Sequence, residues 1–584
     1  MPIKLPKRTV VMIGGGFTSA LASRQLVTKG VDIVVLERGV DHTHSAADEV
    51  PAQRDELRWA MRHSNAQNIA TETYTVRYNS GDAALPARRL EAFIPGEGVG
   101  GSASHWNGQS WRWSEYDPIL RTHLQRRYGK LPVDLTVQDW GVTYAELEPY
   151  HDLWEKLFGV AGKAGNLRGK IQAGGNPFEA PRQNEFPQEP LAILEAGVAF
   201  NEAANKLGWK PFPLPAANSP KAYTNPDGME LAACQYCGHC ERFICESNAK
   251  ASPQVLLYPW LAQRKGFELR TGVHVTAIDY DKRAKKAIAV RYTDLNTGEE
   301  YIQPADIIVL AAFTMTNNKL LLMSSIGRPY DPQTRRGVVG RNFCHQTMSA
   351  VNVFFKDRWI NPFFATGASQ NVLDEWNNDN FDHSGLGFHG GGYIYSNVTN
   401  GRPIETRPVP PGTPRWGSAW KKATADWYAH AFTISVHGSC YAHPENYLSL
   451  DPTYRDAFGQ PLVRMTFDFR ENELKMSEFV TKKAEELARA TNATIVGAAV
   501  PRKGPYDVRV YQTTHVTGGT PMGAHPETSV VSPHLQHWDA ENLFVVGASV
   551  YPQNSGYNPT GPLGALALRL GDDIAAYVKR PARL

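Results

Sequence analysis

The sequence predicts an α/β composite: a Rossmann-type nucleotide-binding domain joined to a second, antiparallel-sheet domain that would hold substrate. Three observations carry this. A strand, a glycine turn, a helix, a second strand and an acid open the chain in that order. Residues 345–470 break into short alternating segments rich in aromatics, glycine and Thr/Ser. At 584 residues the chain is also longer than one hydrophobic core usually supports.

Residues 10–13 are short and wholly apolar, as a strand buried on both faces should be. Gly14, Gly15, Gly16 and Ser19 follow, then helical spacing over 20–29, a strand at 32–36, and Glu37. Such glycines let the backbone approach a pyrophosphate at a helix N-terminus, and a carboxylate at position 37 can accept both ribose hydroxyls. Ser19 stands where the pattern has a third glycine. This unit alone does not choose between FAD and NAD. Residues 40–90 read as polar and irregular. A second glycine cluster at 96–101, with Gly100 and Gly101 at its end, runs into Ser104, His105, Trp106 and Asn107.

Residues 140–158 read as helix, and 160–230 are rich in Pro, Asn and Gly. Strands are predicted at 267–270, 273–280 and 287–293, with a turn at Asn296, Thr297 and Gly298. Another buried strand follows at 306–310, then a helix through 320–324. Residues 407–414 hold four prolines and read as an ordered surface loop or flap. A charged amphipathic helix is expected at 473–491, a last strand at 541–548 and a last helix at 560–578. The expected domains are 1–165, 246–335 and 505–584 for the nucleotide, 166–245 as an insertion, and 336–504 for substrate.

Composition narrows the partners. Hydrophobic residues at 42% and charged residues at 20% are ordinary for a globular protein. Lys+Arg 61 against Asp+Glu 58 is too balanced for binding nucleic acid or a membrane surface on charge alone. No apolar run reaches the roughly 18 residues of a bilayer span. The apolar stretch near the N-terminus is too short for a secretory core, so no export signal or anchor is expected in the chain itself.

Four of the six cysteines fall in one stretch, Cys234, Cys237, Cys240 and Cys245. Cys-x2-Cys-x2-Cys spacing is typical of iron–sulfur ligation. Zinc more often takes two separated pairs, and disulfides would strain such short loops. Zinc, disulfides and free thiols stay open beside the cluster reading. Cys344 and Cys440 read as buried thiols.

Near the C-terminus stand His515 and the run to Gly523, then Gly547 and Ala548, then residues 556–562 with Asn558, Pro559 and Thr560. Here the sequence resembles the GMC (glucose–methanol–choline) flavoprotein oxidoreductases over essentially its whole length. The likeness is strongest to the large subunits of gluconate 2-dehydrogenases; sorbitol, fructose and FAD-dependent glucose dehydrogenases resemble it more distantly. The resemblance implies FAD as the nucleotide, with Gly14–16, Ser19, Glu37, Gly100, Gly101, His105, Asn107, the backbone at Val275, Gly547, Ala548, Asn558, Pro559 and Thr560 around it. It implies His515 as the base and Asn558 as its partner over the flavin. His525, His534 and His537 read as solvated loop residues.

The resemblance also raises a covalent bond from His105 to the flavin, against simple packing. It implies an iron–sulfur cluster on Cys234, Cys237, Cys240 and Cys245. Relatives with a three-iron cluster use Cys-x5-Cys-x3-Cys. Cys234 and Cys240 match its first interval, Cys245 comes one residue late and Cys237 is extra, so three-iron and four-iron clusters are both open.

The expected activity is a dehydrogenase of a sugar-acid or sugar-alcohol hydroxyl, with D-gluconate to 2-keto-D-gluconate as the lead. Sorbitol, glucose, 2-ketogluconate or a glycoside are alternative substrates. A gluconate carboxylate would need a cation, expected from 345–445. Partners implied are a small subunit with a twin-arginine signal and a cytochrome c subunit, which would make the enzyme periplasmic and membrane-associated; a cytoplasmic enzyme is the alternative. A free-standing oxidase using dioxygen, and a non-enzymatic scaffold with structural zinc, are the competing classes.

Overall fold

The computed structural model describes residues 1–41, 66–241, 243–398 and 408–584. The opening unit is β1 (Arg8–Ile13), α1 (Phe17–Val27) and β2 (Ile33–Leu36). Strand β1 ends in four buried apolar residues and β2 is buried throughout, which fits parallel strands covered on both faces. Strand β3 (Tyr74–Arg77) lies in the stretch read as irregular. Its short polar–apolar run is held by a strand nearly 400 residues later, which no local pattern signals. Helix α2 (Tyr144–Phe158) starts at a Thr143/Glu146 capping box.

The next strands are β4 (Phe267–Arg270), β5 (Val273–Asp281), β6 (Lys286–Asp294) and β7 (Glu300–Leu310). Asp294 accepts from the backbone N–H groups of Asn296 and Thr297, closing the β6–β7 turn. Strand β7 pairs both ways. Its first half pairs antiparallel with β6, and its buried end pairs parallel with β1. The sheet order is β4-β2-β1-β7-β6-β5. Helix α3 (Thr314–Met323) leaves the end of β7.

The second sheet comes from β8 onward. Strand β8 (Arg341–His345) is followed by β9 (Thr347–Phe354), β10 (Asn371–Leu373), β11 (Gly392–Asn397) and β12 (Ala431–Gly438). Strands β9-β12-β11-β10 form the middle of an antiparallel six-stranded sheet. Strands β13 (Tyr447–Arg455) and β14 (Pro461–Thr466) pair with each other, and β14 takes β3 in parallel. Helix α4 (Glu471–Ala490) buries Met476, Val480, Ala484 and Leu487, one per turn, against β9 and β12. Each fully buried Val, Leu or Met contributes roughly 1.5–3 kcal/mol.

Register sets what the other face of this sheet presents. Tyr393 lies opposite His437 and Tyr395 opposite Ser435, while Ile394 and Val436 between them join the apolar cluster under α4. One face is therefore apolar and the other carries tyrosine and histidine, the period-two alternation of a strand. Pro408 to Pro414 is irregular and partly exposed; Arg407 lies outside the described residues.

The chain then returns to the first sheet. Strand β15 (Val516–Gly519) pairs with β8, and β16 (Leu543–Val545) adds to β7 in parallel. Helix α5 (Thr560–Lys579) packs against α1 and α2. Among the described residues no helix is long and apolar enough to cross a membrane.

Candidate active site

A cavity of about 310 Å³ reaches from the β1–α1 glycine turn to the tyrosine-and-histidine face of the second sheet. At the turn, Gly14 has φ +100°, and a Cβ there would sit 2.8 Å from the Ala312 Cα. Only glycine fits both the conformation and the close approach of the next strand. A Cβ on Gly16 would meet nothing within 4 Å, because that face is the cavity. Gly14, Gly15, Gly16, Glu37, Gly100, Gly101, Val275, Gly547 and Ala548 all line it.

One expectation at this end needs correction. Ser19 does not line the cavity: it is fully buried and its hydroxyl meets the Met12 sulfur at 3.6 Å. A small residue is needed there for α1 to pack on β1, so the position serves the fold. Glu37 lines the cavity, and its carboxylate accepts from the N–H groups of Gly15 (2.6 Å), Gly39 (2.8 Å) and Gly98 (3.3 Å). These N–H groups hold the carboxylate in place on the cavity wall. Burial raises its pKa, and those three N–H groups and Arg38 oppose the rise.

The other end is built by the C-terminal segments. His515 immediately precedes β15, and Asn558 immediately precedes the Pro559 cap of α5. The Asn558 amide and His515 Nε2 are 3.1 Å apart. Tyr393 Oη lies 2.6 Å from Asn558 Oδ1 and 2.7 Å from His437 Nδ1, and Tyr395 Oη lies 3.0 Å from His437 Nε2. The Asn558 carbonyl accepts from the Trp113 indole at 3.0 Å, which holds the segment from behind. His105, Asn107, Pro559 and Thr560 line the same cavity.

Burial first, then the neighbouring His437 and His345, hold the His515 pKa well below the ordinary imidazole value. His437 is pulled down by burial to about 3. Both rings are neutral at pH 7, and a neutral imidazole facing a cavity can accept a proton. His437, Tyr393, Tyr395 and Gln346 were not singled out from the sequence. Their only signal was the alternating Tyr393/Tyr395 pattern, which does not reveal which face meets the cavity. His537, expected in a solvated loop, is buried and pulled down to about 3. His525 is exposed and His534 partly so.

Among the described residues lining the cavity, the Lys and Arg side chains are Arg38 and Lys319. Both sit at the glycine end, ion-paired with Glu72. Strands 345–445 contribute Met348, Gln370, Tyr395, Asn397 and His437 to the cavity, and among the described residues no cation. Arg402 and Arg407 lie outside the described residues.

The four clustered cysteines line one separate cavity of about 30 Å³, together with Asn218 and Lys250. All four are free thiols. Cys240 is buried, and its sulfur takes the Asn218 amide and Thr366 hydroxyl at 3.4 Å. Burial and the neighbouring Cys240, Cys245 and Cys237 push the Cys234 thiol up to about 12. Among the described residues no three His, Cys, Asp or Glu form a group able to hold a metal. Sequence spacing brings the thiols to one loop without fixing where they point. Cys344 and Cys440 are buried and free.

The group that the glycine turn implies fits the larger cavity. It offers bare backbone at Gly16, an acceptor at Glu37 and backbone around Val275, with a neutral histidine–asparagine pair at the far end. GMC oxidoreductase family models match residues 195–348 and 442–567. The gluconate 2-dehydrogenase flavoprotein of Pantoea cypripedii is 40% identical over 100% of this chain and 96% of its own length. The fructose dehydrogenase large subunit of Gluconobacter japonicus is 25% identical, over 98% of each chain. A formate oxidase variant of Aspergillus oryzae superposes with a TM-score of 0.62 at 15% identity, over 98% of this chain and 100% of that one, a likeness of fold. The chain therefore belongs to the GMC oxidoreductase family and is an FAD-dependent oxidoreductase acting on CH–OH groups.

Proposed function

We propose that the chain is the flavoprotein of a dehydrogenase that oxidises one hydroxyl of a sugar acid or polyol to a carbonyl, with D-gluconate to 2-keto-D-gluconate as the lead. The observation that carries this is the His515–Asn558 pair, 3.1 Å apart on the cavity wall, with Asn558 buried and His515 half-buried. The neutral His515 Nε2 takes the hydroxyl proton, and the Asn558 amide donates to the alcohol oxygen and fixes its position. FAD, when bound, accepts the hydride from the same carbon. Gluconate is the lead because of the 40% identity to the Pantoea flavoprotein. His105, buried on the cavity wall directly after the 101–104 turn, supports a covalent flavin link. Flavin that stays with acid-precipitated protein would bear that out.

The cysteine loop supports an electron-relay reading by its spacing and its shared cavity. A small twin-arginine subunit, a cytochrome c subunit and a periplasmic, membrane-associated site belong to the relay reading. The competing class is an oxidase that passes electrons to dioxygen.

An activity screen of polyols, aldoses and aldonates with a dye acceptor, run beside a visible spectrum and iron and acid-labile sulfide analysis, tests both. Turnover of gluconate with dye, and iron with sulfide in the protein, is the expected result. Turnover of sorbitol or glucose alone overturns the substrate. Peroxide formation by an iron-free flavoprotein overturns the relay in favour of the oxidase.

A further inference from the structure

Gln346 joins β8 to β9, is fully buried, and touches the active histidine without facing the main cavity. Its side-chain nitrogen lies 3.1, 2.7 and 3.1 Å from the carbonyl oxygens of Ser555, Gly556 and Tyr557. Three acceptors around one end of an amide can be met only by its NH₂ group, so the orientation is fixed by the network. The other end, Oε1, is 2.6 Å from His515 Nδ1. A carbonyl oxygen accepts and never donates, so Nδ1 must carry the hydrogen. A neutral imidazole has one N–H, which leaves Nε2 bare, with the Asn558 amide as its donor at 3.1 Å.

We propose that Gln346 is a positioning residue that sets the tautomer of His515, so that Nε2 presents its lone pair to the substrate hydroxyl. This rests on the reading of His515 as the base. In the step, the substrate O–H bond breaks, its proton forms Nε2–H, and His515 becomes an imidazolium; the hydride leaves the adjacent carbon for FAD. Gln346 Oε1 accepts the Nδ1 hydrogen before and after, and it adds no fixed charge. The same amide holds the three carbonyls directly before Asn558, so one side chain registers both members of the pair.

The titratable groups facing His515 are His437 from β12, with ring centroids 5.5 Å apart, and His345 from β8; Tyr511 lines the cavity beside it. His437 and His345 are pulled down by burial to about 3 and about 4, so both are uncharged at neutral pH. A carboxylate at 346 would bring the one fixed negative charge next to His515 and favour its protonated form.

The test uses the flavin-loaded protein. Q346E is expected to move the acid limb of the kcat/KM profile up by about one pH unit or more. Q346M is expected to lower kcat about 10–100-fold with KM changed less than about threefold and flavin absorbance kept. Because either variant could fail to fold, ¹⁵N-histidine NMR of the wild-type holoprotein reads the tautomer directly. The resonance lost in H515A should show an unprotonated Nε2. A protonated Nε2, or variant profiles that superimpose on wild type, overturns the proposal. If H515A itself turns over normally, the base assignment fails and takes this proposal with it. If H515A is dead while both Gln346 variants behave as wild type, only the role of Gln346 falls.

Discussion

The His515 site and the cysteine loop are both clusters of reactive side chains, yet they are built in opposite ways. Around His515 every partner comes from far away in the chain: Gln346 from the β8–β9 junction, Asn558 from the cap of α5, and Tyr393 and His437 from the second sheet. The Gln346 amide there is held in a network that leaves one orientation. In the cysteine loop, four thiols lie within twelve residues and share a small cavity, yet among the described residues no three ligands form a metal-holding group. Closeness in sequence ensures proximity; a defined geometry takes anchors from several elements, each holding its neighbour's rotamer.

The loop does have one anchor. The Lys250 ammonium is fully buried and donates to the carbonyls of Trp106 (2.7 Å), Cys240 (2.8 Å), Phe243 (2.8 Å) and Ser104 (3.4 Å). It ties the cysteine loop to the segment bearing His105. Burial lowers its pKa, and the nearby cysteines oppose that.

Three measurements would break or sharpen the contrast. The largest effect is expected at the ordered site: His515→Ala should lower kcat about 10²–10⁴-fold, the usual worth of a general base, with flavin still bound. Turnover within about tenfold of wild type would remove His515 from the chemistry. Next is Lys250→Met, which leaves four carbonyls without their donor and should cost about 2–4 kcal/mol. Thermal unfolding should show a lower Tm, and alkylation of Cys234, Cys237 and Cys245 should quicken. An unchanged Tm and unchanged thiol reactivity would mean the lysine does not organise the loop.

The smallest effect concerns pH. A histidine whose folded pKa is lowered stays unprotonated as pH falls through the ordinary imidazole value, so the base remains competent in mild acid. Activity at pH 5.5 should be within about twofold of that at pH 7. A kcat/KM limb centred near 6.5 would contradict the lowered pKa of His515. The same shift has a stability sign. Below about pH 6.5 the unfolded chain binds protons that His345, His437, His515 and His537 refuse, so the native state loses stability as pH falls.

Much of the architecture was legible because it is local. Residues 10–13, the three glycines and Glu37 follow one another in register, and α5 and α4 appear as periodic runs close to their observed bounds. Strand β3 was not legible, because only its pairing with β14 makes it a strand. Ser19 illustrates a subtler failure: the motif marks its size, and only packing tells whether it faces cofactor or core. His537 resembled a loop residue by its polar neighbours and is buried by the return of the last strand.

The sequence by itself determined the nucleotide-binding unit, the family resemblance, the identity of the histidine and asparagine, and the grouping of four cysteines, because each is written in adjacent residues or a recurring spacing. The tertiary structure decided which N–H groups hold Glu37, which face of β11 and β12 meets the cavity, and which groups surround Gln346 and His515. Those properties depend on side chains meeting across hundreds of residues, where hydrogen-bond direction and burial are set by the fold and by no stretch of chain alone.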